Sequence, residues 1–161
     1  MCYEGEYLNG LRNGKGKEYD ENNNPIFEGE YFNGKRKGKG KEYDYIGNLI
    51  FEGEYFDELK KGKEYDYNGN LLFEGEYLND KRWNGKVKEY DNYNHKLIFE
   101  GEFINGIRNG KRKEYDNNGN LIFEGEYLNG EKWNGKGKEF FYNDKLKFEN
   151  EYLNGKKKII K

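Results

Sequence analysis

The feature that most constrains this chain is an internal repeat of about 24 residues. The phrase F-E-G-E-Y, or a close variant, recurs at intervals of 24, 24, 22, 26, 24 and 25 residues. Its seven copies begin at Tyr3, Phe27, Phe51, Phe73, Phe99, Phe123 and Phe148. A second phrase, close to G-K-G-K-E-Y, follows each of the first six copies. Self-similarity at such a period indicates stacked supersecondary units, each completed by its neighbours.

Both phrases have the pattern of short β-strands. Strong β-formers alternate with charged residues over five or six positions, and Asn-Gly or Asp punctuates the ends. The one proline, Pro25, falls in a turn, and no segment has a helical period. We therefore predict an all-β fold, an elongated single-layer antiparallel meander of β-hairpin repeats, in a single domain over residues 1–161. The repeat that starts at residue 148 is expected to be a half-repeat cap, which gives thirteen strands.

The composition favours a single layer. The chain is 33% apolar and contains no Ala, Ser, Thr or Gln, so the small residues that fill a layered core are missing. Disorder is opposed by a net charge of only −2 and an aromatic content of 18%. We expect order to come from aromatic side chains and cross-strand pairs.

The strand register follows from the charges and the turns. A two-residue type I′ turn at Asn68-Gly69 would place Tyr65 opposite Leu72 and Lys63 opposite Glu74. The same turn at Asn118-Gly119 would place Lys113 opposite Glu124. Matching charges within hairpins predicts five further pairs: Glu30–Lys39, Glu28–Lys41, Glu54–Lys61, Glu52–Lys63 and Glu76–Lys86. A slip of one residue would turn every side chain to the wrong face.

The period of two then assigns two different faces. One face is a checkerboard of Glu and Lys, and the other carries Phe51, Gly53 and Tyr55 beside Gly38 and Gly40 of the neighbouring strand. Rings can lean across a neighbouring glycine because it has no side chain. Opposite-charge pairs contribute roughly 0.2–1 kcal/mol each, and each ring buries a large area.

The pattern F-E-G-E-Y, two residues, G, then G-K-G resembles the MORN repeat. The match runs over essentially the whole chain, and the K-E-Y-D-x-N-G-N-L extension is similar to variant MORN repeats of bacterial and protist proteins. The resemblance implies a non-enzymatic scaffold or binding module, with an antitoxin-like binder of a toxin protein as one form and lipid binding as another. Copies three, four, five and seven depart from the pattern at a tip or a glycine, notably at Val87, Arg112 and Asn150.

The residues give little support to catalysis, metal binding or a cofactor. Without Ser or Thr, the nucleophile and base candidates are Cys2 and His95, which lie several strands apart, whereas a catalytic pair must be in hydrogen-bond contact. The oxygen-rich turns DYNGN (66–70) and DNNGN (116–120) have glycine fourth, whereas a calcium-binding EF-hand loop needs it sixth. Asn-Gly turn chemistry explains these turns.

Charge patterning argues against nucleic acid, because the lysines alternate with glutamates instead of forming a basic stripe. The exception is the tail KKKIIK (156–161), which could touch an anionic surface or could block aggregation at a sheet edge. The balance of charge also counts against lipid headgroups. The first residues are not a signal peptide and no apolar run reaches membrane length, so a cytoplasmic protein is expected.

Two surfaces are predicted to bind a protein partner. Trp83 and Trp133 stand at hairpin tips on one side of the sheet, and arginines at the tips share that side; Trp and Arg dominate binding hot spots. The alternative is that each indole covers its own sheet. The aromatic-glycine face is the second surface, although its rings could cover only their own sheet. The predicted partner-binding residues are Trp83, Trp133, Arg36, Arg82, Arg108, Tyr31, Tyr55, Tyr77, Phe103 and Tyr127. A homo-oligomer through open edge strands is also expected, and a membrane-surface adaptor that uses the basic tail is the alternative function.

Overall fold

The computed structural model describes residues 2–141 and 143–160. It divides into two compact units, one that ends at Arg82 and one that begins at Trp83. The assignment of residues 1–161 to one repeat domain stays a prediction. The strands are β1 (Cys2–Leu8), β2 (Leu11–Tyr19), β3 (Pro25–Phe32), β4 (Lys35–Tyr43), β5 (Leu49–Phe56), β6 (Leu59–Tyr65), β7 (Leu71–Leu78), β8 (Lys81–Tyr90), β9 (Leu97–Ile104), β10 (Ile107–Tyr115), β11 (Leu121–Leu128), β12 (Glu131–Phe140), β13 (Leu146–Leu153) and β14 (Lys156–Ile159).

The predicted all-β meander is confirmed. Within each unit the strands are antiparallel, and each pairs with the strands next to it in the chain. The described residues contain fourteen strands, not thirteen, because the lysine-rich tail forms β14 against β13. Lys161, the last residue of that tail, lies outside the described residues.

Most of the predicted charge register is confirmed. The confirmed pairs are Glu28–Lys41, Glu52–Lys63, Glu54–Lys61, Lys63–Glu74 and Lys113–Glu124. The predicted pair Glu30–Lys39 is wrong, because a bulge interrupts the β3–β4 register between Gly29 and Tyr31. Gly38 lies in this bulged hairpin with φ +79°, a conformation that favours glycine.

The predicted turn type is wrong between repeats. Of the two residues of the Asn68-Gly69 turn, only Gly69 has positive φ, so the turn is not type I′, and Tyr65 pairs with Leu71 instead of Leu72. The Asp66 carboxylate accepts the backbone N–H groups of Asn68 and Asn70, at 2.9 and 2.8 Å. This capping holds a three-residue loop in which glycine takes the left-handed position.

Type I′ geometry appears instead at the hairpin tips. Asn33 and Gly34 both have positive φ, 47° and 81°, and they connect the paired residues Phe32 and Lys35. Asn9-Gly10, Asn105-Gly106, Asn129-Gly130 and Asn154-Gly155 have the same signs. Asn-Gly therefore marks both kinds of turn, and the aspartate before it distinguishes them.

Candidate interaction surfaces

The aromatic face, formed by the Phe and Tyr side chains of the F-E-G-E-Y phrases, is the packed core of each unit. Phe27 and Tyr55 meet edge to face with ring centroids 5.4 Å apart, an arrangement that aromatic pairs prefer. A Cβ added to Gly40 would lie 2.6 Å from the Phe27 ring and 2.9 Å from the Tyr55 ring. The rings thus occupy the space above the glycines, as the sequence predicts.

A row of glutamates lies among these rings, whereas the sequence predicted glutamates only for the opposite face. Each is the Glu of a K-E-Y phrase. Its carboxylate accepts a hydrogen bond from a tyrosine hydroxyl 13 residues later in the chain and pairs with a Lys or Arg side chain 18 residues later. The sets are Glu42 with Tyr55 and Lys60, Glu64 with Tyr77 and Arg82, and Glu114 with Tyr127 and Lys132. The constant spacing is the signal that could have revealed them.

These contacts shift the pKa values of the groups involved. Burial alone would raise the pKa of Glu64, but the hydrogen bonds from Arg82 and Tyr77 and the nearby positive charges outweigh it, so the pKa is lowered. Burial and the hydrogen bond to Glu64 raise the pKa of Tyr77. Both shifts favour the ionised carboxylate beside the protonated phenol.

Four of the five predicted aromatic contact residues are buried. Tyr31, Tyr55, Tyr77 and Tyr127 have 4 to 8% of their surface exposed, and Phe103 is half-buried. Cationic side chains cover the rings: the Lys60 amine lies 5.2 Å from the centre of the Tyr77 ring. This burial favours a structural role, and binding of a partner by these rings stays a prediction.

The three predicted arginines also serve the sheet. Arg82 donates two hydrogen bonds of 2.9 Å to Glu64. Arg36 pairs with Glu18 at 2.5 Å and lies 4.0 Å from the centre of the Phe27 ring. Arg108 is more exposed than the other two, although it pairs with Glu89. Each bridges one repeat to the preceding one, so contact with a partner stays a prediction for them too.

The two tryptophans are half-buried at hairpin tips. The carbonyl oxygens of Trp83 and Trp133 accept the N–H groups of Gly106 and Gly155, each at 2.9 Å, and so tie each tip to the next. A Cβ on Gly155 would lie 3.5 Å from the Trp133 ring, which therefore covers the neighbouring tip. This packing matches the alternative reading for Trp133, in which the indole covers its own sheet.

The opposite face, which we call the Glu/Lys face, forms a groove in each unit. The groove in the first unit has a volume of about 670 Å³. Alternating charges such as Lys41, Glu52 and Lys63 form its sides, and the backbone of Gly40, Gly53 and Gly62 lines it as well. A second groove, of about 470 Å³, lies over β8 to β11 and is lined by the same residue types plus Val87 and Arg112.

A row of apolar side chains lies at the hairpin tips of the first unit. We call it the tip stripe; it consists of Leu8, Leu11, Phe32, Phe56 and Leu59, each about half exposed. Phe32 follows Glu28 and Glu30 at a period of two, so it shares their face. Adjacent tips are joined by a hydrogen bond of 2.9 Å from the Gly34 N–H to the Arg12 carbonyl. Single exposed apolar residues are ordinary, whereas a row of them marks an interaction site.

The remaining chemical candidates are dispersed. Cys2 is exposed at the start of β1, and His95 lies in the turn after β8, where its N–H donates to the Asp91 carbonyl. No group of three or more His, Cys, Asp or Glu side chains in the described ranges is arranged to hold a metal ion. Over the same residues, no helix is long and apolar enough to cross a membrane.

Hairpin repeats, aromatic rings over glycines and a salt-bridge ladder between successive repeats define a single-layer β-repeat protein. The MORN repeat family matches three segments of the chain, residues 3–24, 27–49 and 99–120. The resemblance to the MORN repeat is therefore confirmed over these three segments. A comparison with curated proteins found no match. MORN repeats are in general non-catalytic modules for protein or membrane interaction, and a scaffold role agrees with this.

Proposed function

We propose that this protein is a non-enzymatic scaffold that binds a segment of another protein along the Glu/Lys face of its first unit. The observation that carries the proposal is the exposed tip stripe, which lies on the same face of the sheet as the charged groove. Apolar anchors in such a position supply binding energy, while charges at the rim give register and specificity. An antitoxin-like role, with a toxin as the bound protein, is one form of this proposal.

The tip stripe and the charged groove together define which side chains a bound segment would need. The charged rows alternate in sign at each strand, so they repeat at about 9.6 Å, twice the strand spacing. A complementary segment would carry apolar side chains toward the tip stripe and charges of alternating sign over the groove. Lys39 and Lys41 are exposed and lie opposite Glu54 and Glu52, and among the described residues no ion pair within 4 Å joins either lysine to a carboxylate.

The test compares three surfaces in one pull-down, with the bound proteins identified by mass spectrometry. Phe32→Asp combined with Phe56→Asp should abolish capture of the partner that the unmodified chain retains. Tyr45→Asp, a change at a still more exposed aromatic residue in a turn away from the stripe, is the control and should retain it. All variants should keep the β-sheet circular dichroism spectrum.

The Trp and Arg edge is examined in the same experiment. If Trp83→Ala with Trp133→Ala removes the partner while the tip-stripe variant keeps it, the binding surface is the tryptophan edge and the groove proposal is wrong. If the tryptophan variant loses its β-sheet spectrum, the indoles are structural.

A membrane-surface role is the second candidate, and the observation that favours it is β14. Lys156, Lys157 and Lys158 are all exposed on this strand, next to the half-exposed Ile159 and Ile160. Sedimentation with vesicles that contain phosphatidylserine tests the idea. Binding that weakens with salt and is lost in Lys156→Glu with Lys158→Glu would support it; no binding even at low salt would exclude it.

A further inference from the structure

The outer edges of β1 and β14 are open among the described residues. β1 pairs with β2 and β14 pairs with β13, and nearly all of their side chains are exposed. Such edges present unpaired backbone N–H and C=O groups to another strand. We propose that β14 of one copy pairs with β1 of a second copy of this chain, in the register of the internal β6–β7 junction.

The register follows from the repeat. The last hairpin and the β5–β6 hairpin have the same pairing. In the last hairpin the pairs are Lys156–Leu153, Lys157–Tyr152 and Lys158–Glu151. In the β5–β6 hairpin the corresponding pairs are Leu59–Phe56, Lys60–Tyr55 and Lys61–Glu54. β14 therefore corresponds to β6, and β1 carries the same F-E-G-E-Y phrase as β7. Transferring the β6–β7 pairs to the two edges places Lys157 opposite Tyr7, Lys158 opposite Glu6 and Ile159 opposite Gly5 of the second copy.

Tyr7 is the first indication that something covers β1. It is 58% exposed, whereas Tyr77, at the corresponding position of β7, is 4% exposed. Tyr77 is covered from β6, where the Lys60 amine lies 5.2 Å from the ring centre. Lys157 of a neighbouring copy would cover Tyr7 in the same way, so the contact completes an arrangement that the chain already uses internally.

Ile159 gives the same indication on β14. It is 59% exposed, and it occupies the position at which most repeats have glycine. Val87 shows what happens to a branched apolar residue there: it lies opposite Gly101 and is 1% exposed. Opposite Gly5 of a second copy, Ile159 would be buried in the same setting.

The charges on the two edges favour pairing of β14 with β1 over pairing of two like edges. The internal pair that corresponds to Lys158 and Glu6 is Lys61 and Glu76, whose charged atoms lie 4.0 Å apart. A β1–β1 or β14–β14 contact would bring like charges together. The head-to-tail contact joins two different edges, so each added copy leaves one edge of each kind open and association can continue. Lysine on an edge strand can instead prevent pairing, and the experiment separates the two roles.

Light scattering of the full untagged chain over a wide range of concentration tests the proposal. We expect the mean mass to rise with concentration. Tyr7→Asp and Ile159→Asp, at the two edges, should each return the chain to a monomer. Tyr45→Asp, which changes an exposed tyrosine in a turn, is the matched control and should associate like the unmodified chain. Circular dichroism confirms that each variant is folded.

A charge exchange gives the decisive result. Glu6→Lys alone and Lys158→Glu alone should each weaken self-association by roughly two- to thirtyfold, because an attractive pair becomes a repulsive one. Mixing the two variants should restore association, since each supplies the edge that the other needs. Glu6 also accepts the Lys15 N–H inside its own hairpin, and rescue by mixing is independent of that bond.

Two outcomes would overturn the proposal. One is a constant monomer mass for the unmodified chain at every concentration. The other is association that the edge variants leave unchanged and the mixture does not restore. The experiment needs no other protein, so its result is independent of partner binding at the tip stripe.

Discussion

At the scale of single residues, the glycines of both repeated phrases leave space above the backbone that neighbouring atoms fill. A Cβ on Gly125 would lie 2.1 Å from the Asn134 carbonyl oxygen and 2.6 Å from the Gly135 Cα, so two strands approach each other closely there. At Gly40 the neighbours are rings instead of backbone. Glycine weakens a strand by itself, and here that cost is offset by rings packed over the bare backbone.

We predict that Gly40→Ala destabilises the fold by about 1–3 kcal/mol, because the added methyl forces two buried rings from their positions. Gly137→Ala is the matched control: its Cβ would meet nothing closer than the Tyr152 ring at 3.3 Å. Urea unfolding followed by circular dichroism measures both changes. Equal losses of stability in the two variants would contradict the space-filling role.

At the scale of the elements, one glutamate, one tyrosine hydroxyl and one cation join the second repeat to the third, the third to the fourth and the fifth to the sixth. The fourth-to-fifth repeat junction is different, because Phe103 stands where the other junctions of the ladder have tyrosine, and the turn before it is one residue longer. Glu89 there pairs with Arg108. We expect this junction to be less stable than its neighbours, since a hydrogen bond to a charged group contributes about 1.5–3 kcal/mol.

Exchanging the hydroxyl tests that difference. Tyr77→Phe removes a 2.8 Å hydrogen bond to Glu64 and should lower the free energy of unfolding by about 1–2 kcal/mol. Phe103→Tyr should raise it, by about 0.5–1.5 kcal/mol, if its hydroxyl reaches Glu89. Thermal and urea unfolding measure both. A neutral Tyr77→Phe variant would show that the ladder contributes packing alone.

At the scale of the whole molecule, the ladder makes stability depend on pH. The pKa values of Glu18, Glu64 and Glu114 are lowered in the folded state; burial acts against this, and hydrogen bonds and positive charges overcome it. A carboxyl whose pKa is lower when folded contributes fully above its unfolded value of about 4.3 and loses that contribution as the pH falls through the folded value.

The free energy of unfolding should therefore decline as the pH is lowered from neutral to about 3. Glu64→Gln should be less stable at neutral pH and should lose less stability on acidification, because one of the titrating groups is gone. Urea unfolding at a series of pH values measures both slopes. If the free energy of unfolding fell with pH in parallel for the two proteins, Glu64 would not contribute to the pH dependence of stability.

Sequence alone determined the repeat, the strands, the two faces and most of the charge register. These follow from the period of two and from charge matching, which are local properties of strands that pair with their neighbours in the chain. It also gave the correct reason for the glycines, because a missing Cβ and an adjacent ring are both readable from the aligned phrases.

Only the tertiary structure decided which of the predicted contact side chains stay exposed at the surface. The glutamates of the K-E-Y phrases reach cations 18 residues away and draw the arginines and lysines over the rings, so the aromatic residues become a covered core. The turn type depended on the Asp66 carboxylate, which competes for backbone N–H groups. Both outcomes arise from contacts between repeats or within turns, where one side chain can reach several partners. The two-residue period of a strand does not indicate which of these partners is bound.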